Sequence, residues 1–355
     1  MNRSSRVVQM LLLILIPISV LKLTGCMEGG DPGARLPSQS QEGYQFCFWN
    51  VENFFDDRDD GRTGRGDKQW DQRFSQNPEQ LREKVRHLGD VILSMNNGRG
   101  PDILALAEVE GERAAIILKE HLNARLKDRA DHYQYLAYKD PKGSLHIANA
   151  VISRVPVISG SSKVLKKRYR ILATRLGTKA NPLVVVASHW SSRVSDKTGA
   201  TRAKYAKQIY GHFNGLYRSN PKVDYLVCGD FNDNPSDASI REHLRAVADP
   251  NEARQLADGL PRMLNPFAEL HDESSSGTLY YSGWHLFDQI GVSPGMLDKE
   301  GWSYIPGSAR IENLKIMGNP RSRPPGKPRS FSSKTKEGYG YSDHFPVTVR
   351  IKYHE

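Results

Sequence analysis

With 355 residues, 38% of them hydrophobic and 25% charged, the chain can bury a sizeable core without covalent staples, as one large domain or two modest ones. Three cysteines, Cys26, Cys47 and Cys228, are too few for a disulfide-stapled secreted scaffold. A net charge of +10 suits an acidic partner, nucleic acid or an anionic surface, although a merely soluble surface accounts for it equally well.

Residues 1–25 read as an export signal of lipoprotein type. Arg3 and Arg6 form a basic start, and an apolar run over 11–21 follows, interrupted by Pro17. That run is too short to span a bilayer, which takes about 20 residues. It closes on Leu23-Thr24-Gly25-Cys26, which resembles the bacterial lipobox, with Cys26 as the acylated residue and a lipid anchor to the membrane. The expected location is therefore outside the cytoplasm, periplasmic or at the cell surface. Loss of Arg3, Arg6 and Lys22 on processing leaves the basic bias in place. Residues 26–43, rich in Gly, Pro, Ser and Gln, read as a flexible tether. One domain then runs over 44–355.

Within it strands and helices alternate. A strand is predicted over 46–49. An amphipathic helix follows over 78–95, with Leu81, Val85, Leu88, Ile92 and Met95 on one face. A buried strand over 103–107 precedes a helix over 111–126. Strands over 148–152, 171–176 and 183–188 lead to a helix over 200–217, and strands over 225–229, 287–292 and 346–353 complete the set. Segments 56–73, 191–200 and 318–338 read as loops. Cys47 and Cys228 fall in apolar strands and read as small buried hydrophobes. Tyr280, Tyr281 and Trp284, close before the 287–292 strand, read as core packing. The pattern indicates a layered α/β or α+β fold.

Polar residues collect at strand ends, where sites usually lie. They are Asn50-Val51-Glu52-Asn53, Glu108, His189-Trp190, Asp230-Phe231-Asn232-Asp233, Asp288, and Ser342-Asp343-His344. Each alone has a structural explanation, such as a turn residue or a satisfied buried carboxylate. Together they supply hard oxygen ligands for Mg²⁺ (Asn50, Glu52, Glu108, Asp230, Asp343) and two imidazoles, which fits metal-assisted phosphoryl chemistry. Asp230 and Asn232, two apart, face the same way on an extended segment.

The ordered set WNVEN, ALAEVEG, SHW, GDFND, FDQIGVS and SDHFPV, spanning 46–350, resembles the endonuclease/exonuclease/phosphatase superfamily. That resemblance implies a four-layer αββα sandwich of two packed, mostly antiparallel sheets between helices. It implies hydrolysis of phosphate esters by in-line attack of water, with Mg²⁺ (or Mn²⁺) held by Asn50, Glu52, Glu108 and Asp343. Asp230 and Asn232 would orient the water and hold a phosphate oxygen. Asp288 would orient His344, and His189 would donate to the phosphoryl group or the leaving oxygen. Either Asp230 or His344 could take the water's proton. The glutamate that pancreatic-type nucleases pair with the histidine matching His189 has no counterpart in residues 132–137, so that partner is left open. With the basic charge, the expectation is an exported monomeric endonuclease acting on nucleic acid. Arg193, Arg321 and Arg323 would contact the substrate, and the basic, Pro-rich segment 318–338 (also Lys327, Arg329, Lys334, Lys336) would grip flanking phosphates. Alternatives are an enzyme for phospholipid head groups or small phosphate esters, and a catalytically silent nucleic-acid-binding module. Retention of His344, Asp288 and the carboxylates together argues against silence.

Overall fold

The computed structural model describes residues 35–142, 147–272, 274–332 and 338–355. Cys26 with the rest of the signal segment, and Lys334 and Lys336, lie outside the described residues. In chain order the elements are β1 (Tyr44–Phe54), α1 (Arg65–Ser75), α2 (Pro78–Ile92), β2 (Ile103–Val109), α3 (Glu112–Arg125), β3 (Tyr135–Tyr138), β4 (Ala148–Ser153), β5 (Lys163–Val164), β6 (Ile171–Gly177), β7 (Pro182–His189), α4 (Ala200–Ser219), β8 (Tyr225–Asp230), β9 (Ala246–Val247), α5 (Pro250–Ala253), β10 (Met263–Leu264), β11 (Leu279–Tyr280), β12 (Trp284–His285), β13 (Asp288–Val292), β14 (Gly301–Tyr304), β15 (Arg310–Ile311), β16 (Gly318–Asn319), β17 (Lys327–Pro328) and β18 (Val347–His354).

Two large mixed sheets result. One runs β14-β18-β1-β2-β4-β3, with β15 also on β18, and the other runs β5-β6-β7-β8-β13-β10-β9. Most neighbours are antiparallel; β1 with β2, β7 with β8 and β9 with β10 are parallel. Side-chain alternation along a strand builds the layers. On β1, Tyr44, Phe46 and Phe48 enter the core between the sheets, where Leu183, Val185 and Ala187 of β7 meet them. Cys47, Trp49 and Val51 point the other way, onto Leu81, Val85 and Leu88 of α2. On β7, Val184 and Val186 face outward and are covered by Tyr205, Ile209 and Phe213 of α4. Both faces of each central strand are therefore buried, the four-layer arrangement that the resemblance implies. Truncating a side chain such as Phe46, with no exposed surface, costs about 3–5 kcal/mol. Cys47 and Cys228 are buried free thiols.

Three local readings change. Segment 56–73 is not a loop throughout: α1 forms because Trp70 and Phe74, one turn apart, bury one face against the α2 layer. Tyr281 is not core. The β11–β12 hairpin buries Trp284 and half-buries Tyr280, but leaves Tyr281 at its tip 66% exposed. The domain also takes hold before Tyr44, within the expected tether. The Gln39 amide donates to the Tyr353 carbonyl (3.0 Å) and accepts from its N–H (2.9 Å), and the Tyr44 hydroxyl donates to Pro37 O (2.5 Å).

Candidate active site

The sheets deliver their polar residues to one edge. β7 and β8 run parallel and end together at His189 and Asp230, which are direct neighbours. β13 begins at Asp288, which pairs with Asp230 from the other side. His189, Asp230 and Asp288 thus form one row across three strands. The facing sheet contributes Asn50 from β1 and Glu108 from β2. Between Asn50 and Phe54 the ladder slips, and Glu108 is an extra residue relative to β4. Such bulges re-aim side chains. Glu52, Asn53, Glu108 and Asn232 all adopt left-handed backbone, with φ of 52°, 49°, 63° and 51°. For non-glycine residues this costs on the order of 1–2 kcal/mol each. Hydrogen bonds of the same residues hold it. Asn53 N–H donates to Glu108 Oε2 (2.8 Å), and Asn232 Nδ2 donates to Trp190 O (3.2 Å).

Asn50 Nδ2 lies between the sheets and donates to Glu108 Oε1 (3.2 Å) and Asp230 Oδ2 (3.0 Å). The chain then returns through Ser342, whose hydroxyl donates to Asn50 O (2.7 Å), so that Asp343 and His344 face the same centre. His344 Nδ1 bonds Asp288 Oδ2 at 2.7 Å, and its Nε2 is 3.8 Å from Asp230 Oδ2. His189 Nε2 sits 3.6 Å from Asp230 Oδ2 and 3.7 Å from Glu108 Oε1. Two carboxylate oxygens on Nε2 favour the tautomer with its proton there. His189 Nδ1 has no partner, nor does the nearby Asn149 Oδ1; Asn149 Nδ2 and His189 N both donate to Arg170 O, at 2.9 and 3.0 Å.

The two imidazoles are driven apart in protonation. Burial opposes charge on both. At His344 the carboxylates of Asp288, Asp343 and Asp230 outweigh burial and raise its pKa well above the usual value. At His189 burial, then Arg170 and His344, lower it well below. Burial, aided by Asp288, lifts Asp230 to about 6 despite the opposing pull of His344 and of the hydrogen bonds from Asn50 and Asn232. Burial, with Glu52 and Glu108, lifts Asp343 to about 7 despite His344. Buried carboxylates crowded to this degree are what a hard divalent cation relieves. The donor set fits one: Glu108 and Asp343 offer oxygen ligands, and Asp230, Asp288 and His344 bring ligand atoms within 4.8 Å of one another, whereas Asn50, expected as a ligand, has its Oδ1 engaged by Glu52 N–H at 3.0 Å. The His344–Asp288 bond makes that trio equally a proton-handling group.

Four residues expected at the site stand differently from expectation. Glu52, expected on the metal, spends both oxygens elsewhere. It accepts from the Ser330 hydroxyl, from Phe331 N–H (2.6 Å) and from Ser332 N–H (2.9 Å), and so latches segment 330–332 to β1. Arg193 lines the cleft but is committed to Asp237 (2.6 Å) and Asp233 (3.4 Å), flat over Phe287 at 4.8 Å. Arg321 and Arg323 lie exposed in the β16–β17 turn and do not line the cleft. From that segment Lys327 reaches it, with Nζ 3.4 Å from the Tyr280 ring centre. The cleft, about 910 Å³, has Glu108, His189, Asp230, Asp343 and His344 at its floor and Tyr280, Tyr281, Trp284 and Phe287 along one wall.

A two-sheet sandwich with carboxylates and imidazoles converging at the strand ends defines a hydrolase site of the metal-assisted kind. The chain belongs to the endonuclease/exonuclease/phosphatase family, whose sequence model matches residues 45–353; its members are phosphoesterases that depend on divalent metal. Solved structures similar to it include the human nocturnin catalytic domain (15% identity, 90% of this chain and 100% of that one, TM-score 0.49). Others are Danio rerio TDP2 complexed with a single-strand DNA product (14%, 87% and 98%, 0.49) and a Bacteroides thetaiotaomicron mannosyl-6-phosphatase (14%, 88% and 100%, 0.49). No curated protein matches the chain.

Proposed function

We propose that the protein is an exported, Mg²⁺- or Mn²⁺-dependent phosphodiesterase that cleaves nucleic acid. The observation that supports phosphodiester hydrolysis is the placement of two imidazoles, His344 and His189, beside Asp230, with their pKa values shifted in opposite directions. A bound divalent ion supplies Lewis-acid polarisation of the phosphoryl oxygen. Asp230 takes the proton of the attacking water. His344, charged and fixed by Asp288, stabilises the negative charge that grows on the phosphoryl oxygens. His189 donates from Nε2 to the leaving oxygen, and Asn232 holds a phosphate oxygen. Nucleic acid is favoured by the net basic charge and by the wall of Tyr280 and Tyr281 beside Lys327, a surface that takes a base by stacking and a phosphate by charge.

The test is incubation of the protein with single-stranded DNA, plasmid, RNA, sphingomyelin vesicles and a sugar phosphate monoester, with Mg²⁺ or Mn²⁺ and with EDTA. Cleavage of DNA or RNA that EDTA abolishes is expected; turnover of the lipid or the monoester alone would replace this reading with the phospholipid or small-ester one. Glu108→Gln should lose activity about 100-fold at low metal and regain part of it when metal is raised, because one hard ligand is gone while the fold stands. Unchanged metal dependence in folded Glu108→Gln would remove Glu108 from the ligand set.

A further inference from the structure

Helix α2 turns a lysine inward. Lys84 has no exposed surface, a rare state for lysine, and lies among Leu81, Val85 and Leu88 on the helix's apolar face. Its Nζ donates to the Tyr341 carbonyl at 3.0 Å and stands 4.7 Å from the centre of the Phe331 ring. Both residues precede Asp343 and His344 in the chain. Phe331 belongs to the 330–332 turn that Glu52 latches, and Tyr341 directly precedes Ser342, Asp343 and His344. Phe331 is gripped from a second side by Arg73 of α1, 5.3 Å away, which also stacks on Trp70 and Tyr339 at 4.7 and 5.0 Å.

One carbonyl and one ring are thin compensation for a buried ammonium, whose desolvation costs several kcal/mol. A methionine would fill the same space without that cost. Burial lowers the ammonium's pKa to about 8, and the charges of Glu52, Asp343 and Glu108 oppose that loss. Through the Tyr341 carbonyl the ammonium is tied to the segment that carries Asp343 and His344.

We propose that Lys84 is a positioning residue of the catalytic centre, a buried cation that clamps the 330–332 turn and the Tyr341 carbonyl and thereby fixes Asp343 and His344 against Asn50. The proposal rests on the phosphoesterase reading for its catalytic meaning, but the clamp itself is measurable without any substrate.

The experiment compares the full chain with Lys84→Met, which keeps length and packing, and Lys84→Arg, which keeps charge and donor. Hydrogen exchange of amides in 338–345 should quicken about tenfold or more in the methionine variant while the α4 and β7 amides stay unchanged. On the substrate found above, kcat should fall tenfold or more with KM within about twofold, and the arginine variant should recover at least a third of it. Should the methionine variant not fold, Lys84→Gln, a neutral donor, is read in the same way. Unchanged exchange in 338–345, exchange that rises evenly across the molecule, or equal kcat loss in the arginine and methionine variants overturns the proposal. If no phosphate ester is hydrolysed, the exchange result still stands, and only the functional reading falls.

Discussion

Asp288 touches no solvent, and its Oδ2 holds His344 Nδ1 while its Oδ1 has no partner. In the proposed mechanism it keeps the His344 ring in place. Asp288→Asn keeps the shape but removes the charge, so kcat should drop about 100-fold or more with little change in melting temperature. A loss under threefold would mean that the His344–Asp288 bond has no catalytic role. A second buried carboxylate lies far from the centre. Asp224 accepts from Trp302 N–H (2.8 Å), and burial, despite that bond and with help from Asp298, lifts its pKa to about 7. Gly301, at φ 55°, leaves it room, since a Cβ there would come within 2.5 Å of the carboxylate. Unfolded aspartate titrates near 4. Between about pH 4 and 7 the native state therefore holds the extra proton, and this group's contribution to stability is lost as pH rises through that window. Asp224→Asn keeps an acceptor for Trp302 and should raise the melting temperature at pH 8 by about 2–5 °C, with no gain at pH 4. A gain of equal size at both values would contradict the sign. At this scale the sequence was legible at the strand ends, where Asp230, Asp288 and His344 come together as expected. It was silent on Lys84, which on a helix reads as solvated, and on the Phe331 and Ser332 amides that hold Glu52, because backbone donors leave no mark in composition.

The bulges in β1 and β2 decide which residues of WNVEN and ALAEVEG serve the centre. Asn50 stays on the ladder and points between the sheets, whereas Glu52, past the slip and in left-handed backbone, turns to the 330–332 segment. Glu52 was assigned to the metal as a hard oxygen ligand and by the family resemblance; a bulge depends on the partner strand and does not show in one strand's pattern. Helix α1 was missed because its first turns are charged and only Trp70 and Phe74 carry the apolar signal. Segment 318–338 was expected to grip phosphates with Arg321, Arg323, Lys327 and Arg329 among others; β16 and β17 turn Lys327 toward the cleft and leave Arg321 and Arg323 outside. Lys327→Ser should accordingly weaken binding of long nucleic acid about 3- to 10-fold at low salt and reduce the slope of log affinity against log salt by about 1. Arg321→Ser with Arg323→Ser should leave both within about twofold. The opposite ranking in a salt titration would return the grip to the arginines.

Over the whole molecule the run of strands and helices pointed to a layered fold, and the four-layer order came from the family resemblance; the apolar strands are solid rather than alternating because helices cover one face and the other sheet covers the second. The short edge strands β3, β5 and β14 were not seen, since edges need few apolar residues. The anchor lies outside the described residues and is tested as a property of the whole chain: Cys26→Ser should move the protein from the membrane to the soluble fraction, and an uncleaved, membrane-bound mutant would refute acylation there. The pairing of β1 with β18 has a consequence in time. Ser342 meets Asn50 across 292 residues of chain, and β18 holds that junction. At about 5–20 residues per second, a ribosome takes roughly 15–60 s to make the stretch between them. In the last part of that interval, once Asp230 has been added, the nascent chain carries Asn50, Glu108, His189 and Asp230 without His344. If the proposed substrate is right, the centre stays incomplete on the ribosome, and the messenger is spared, until the segment bearing His344 has been made and paired.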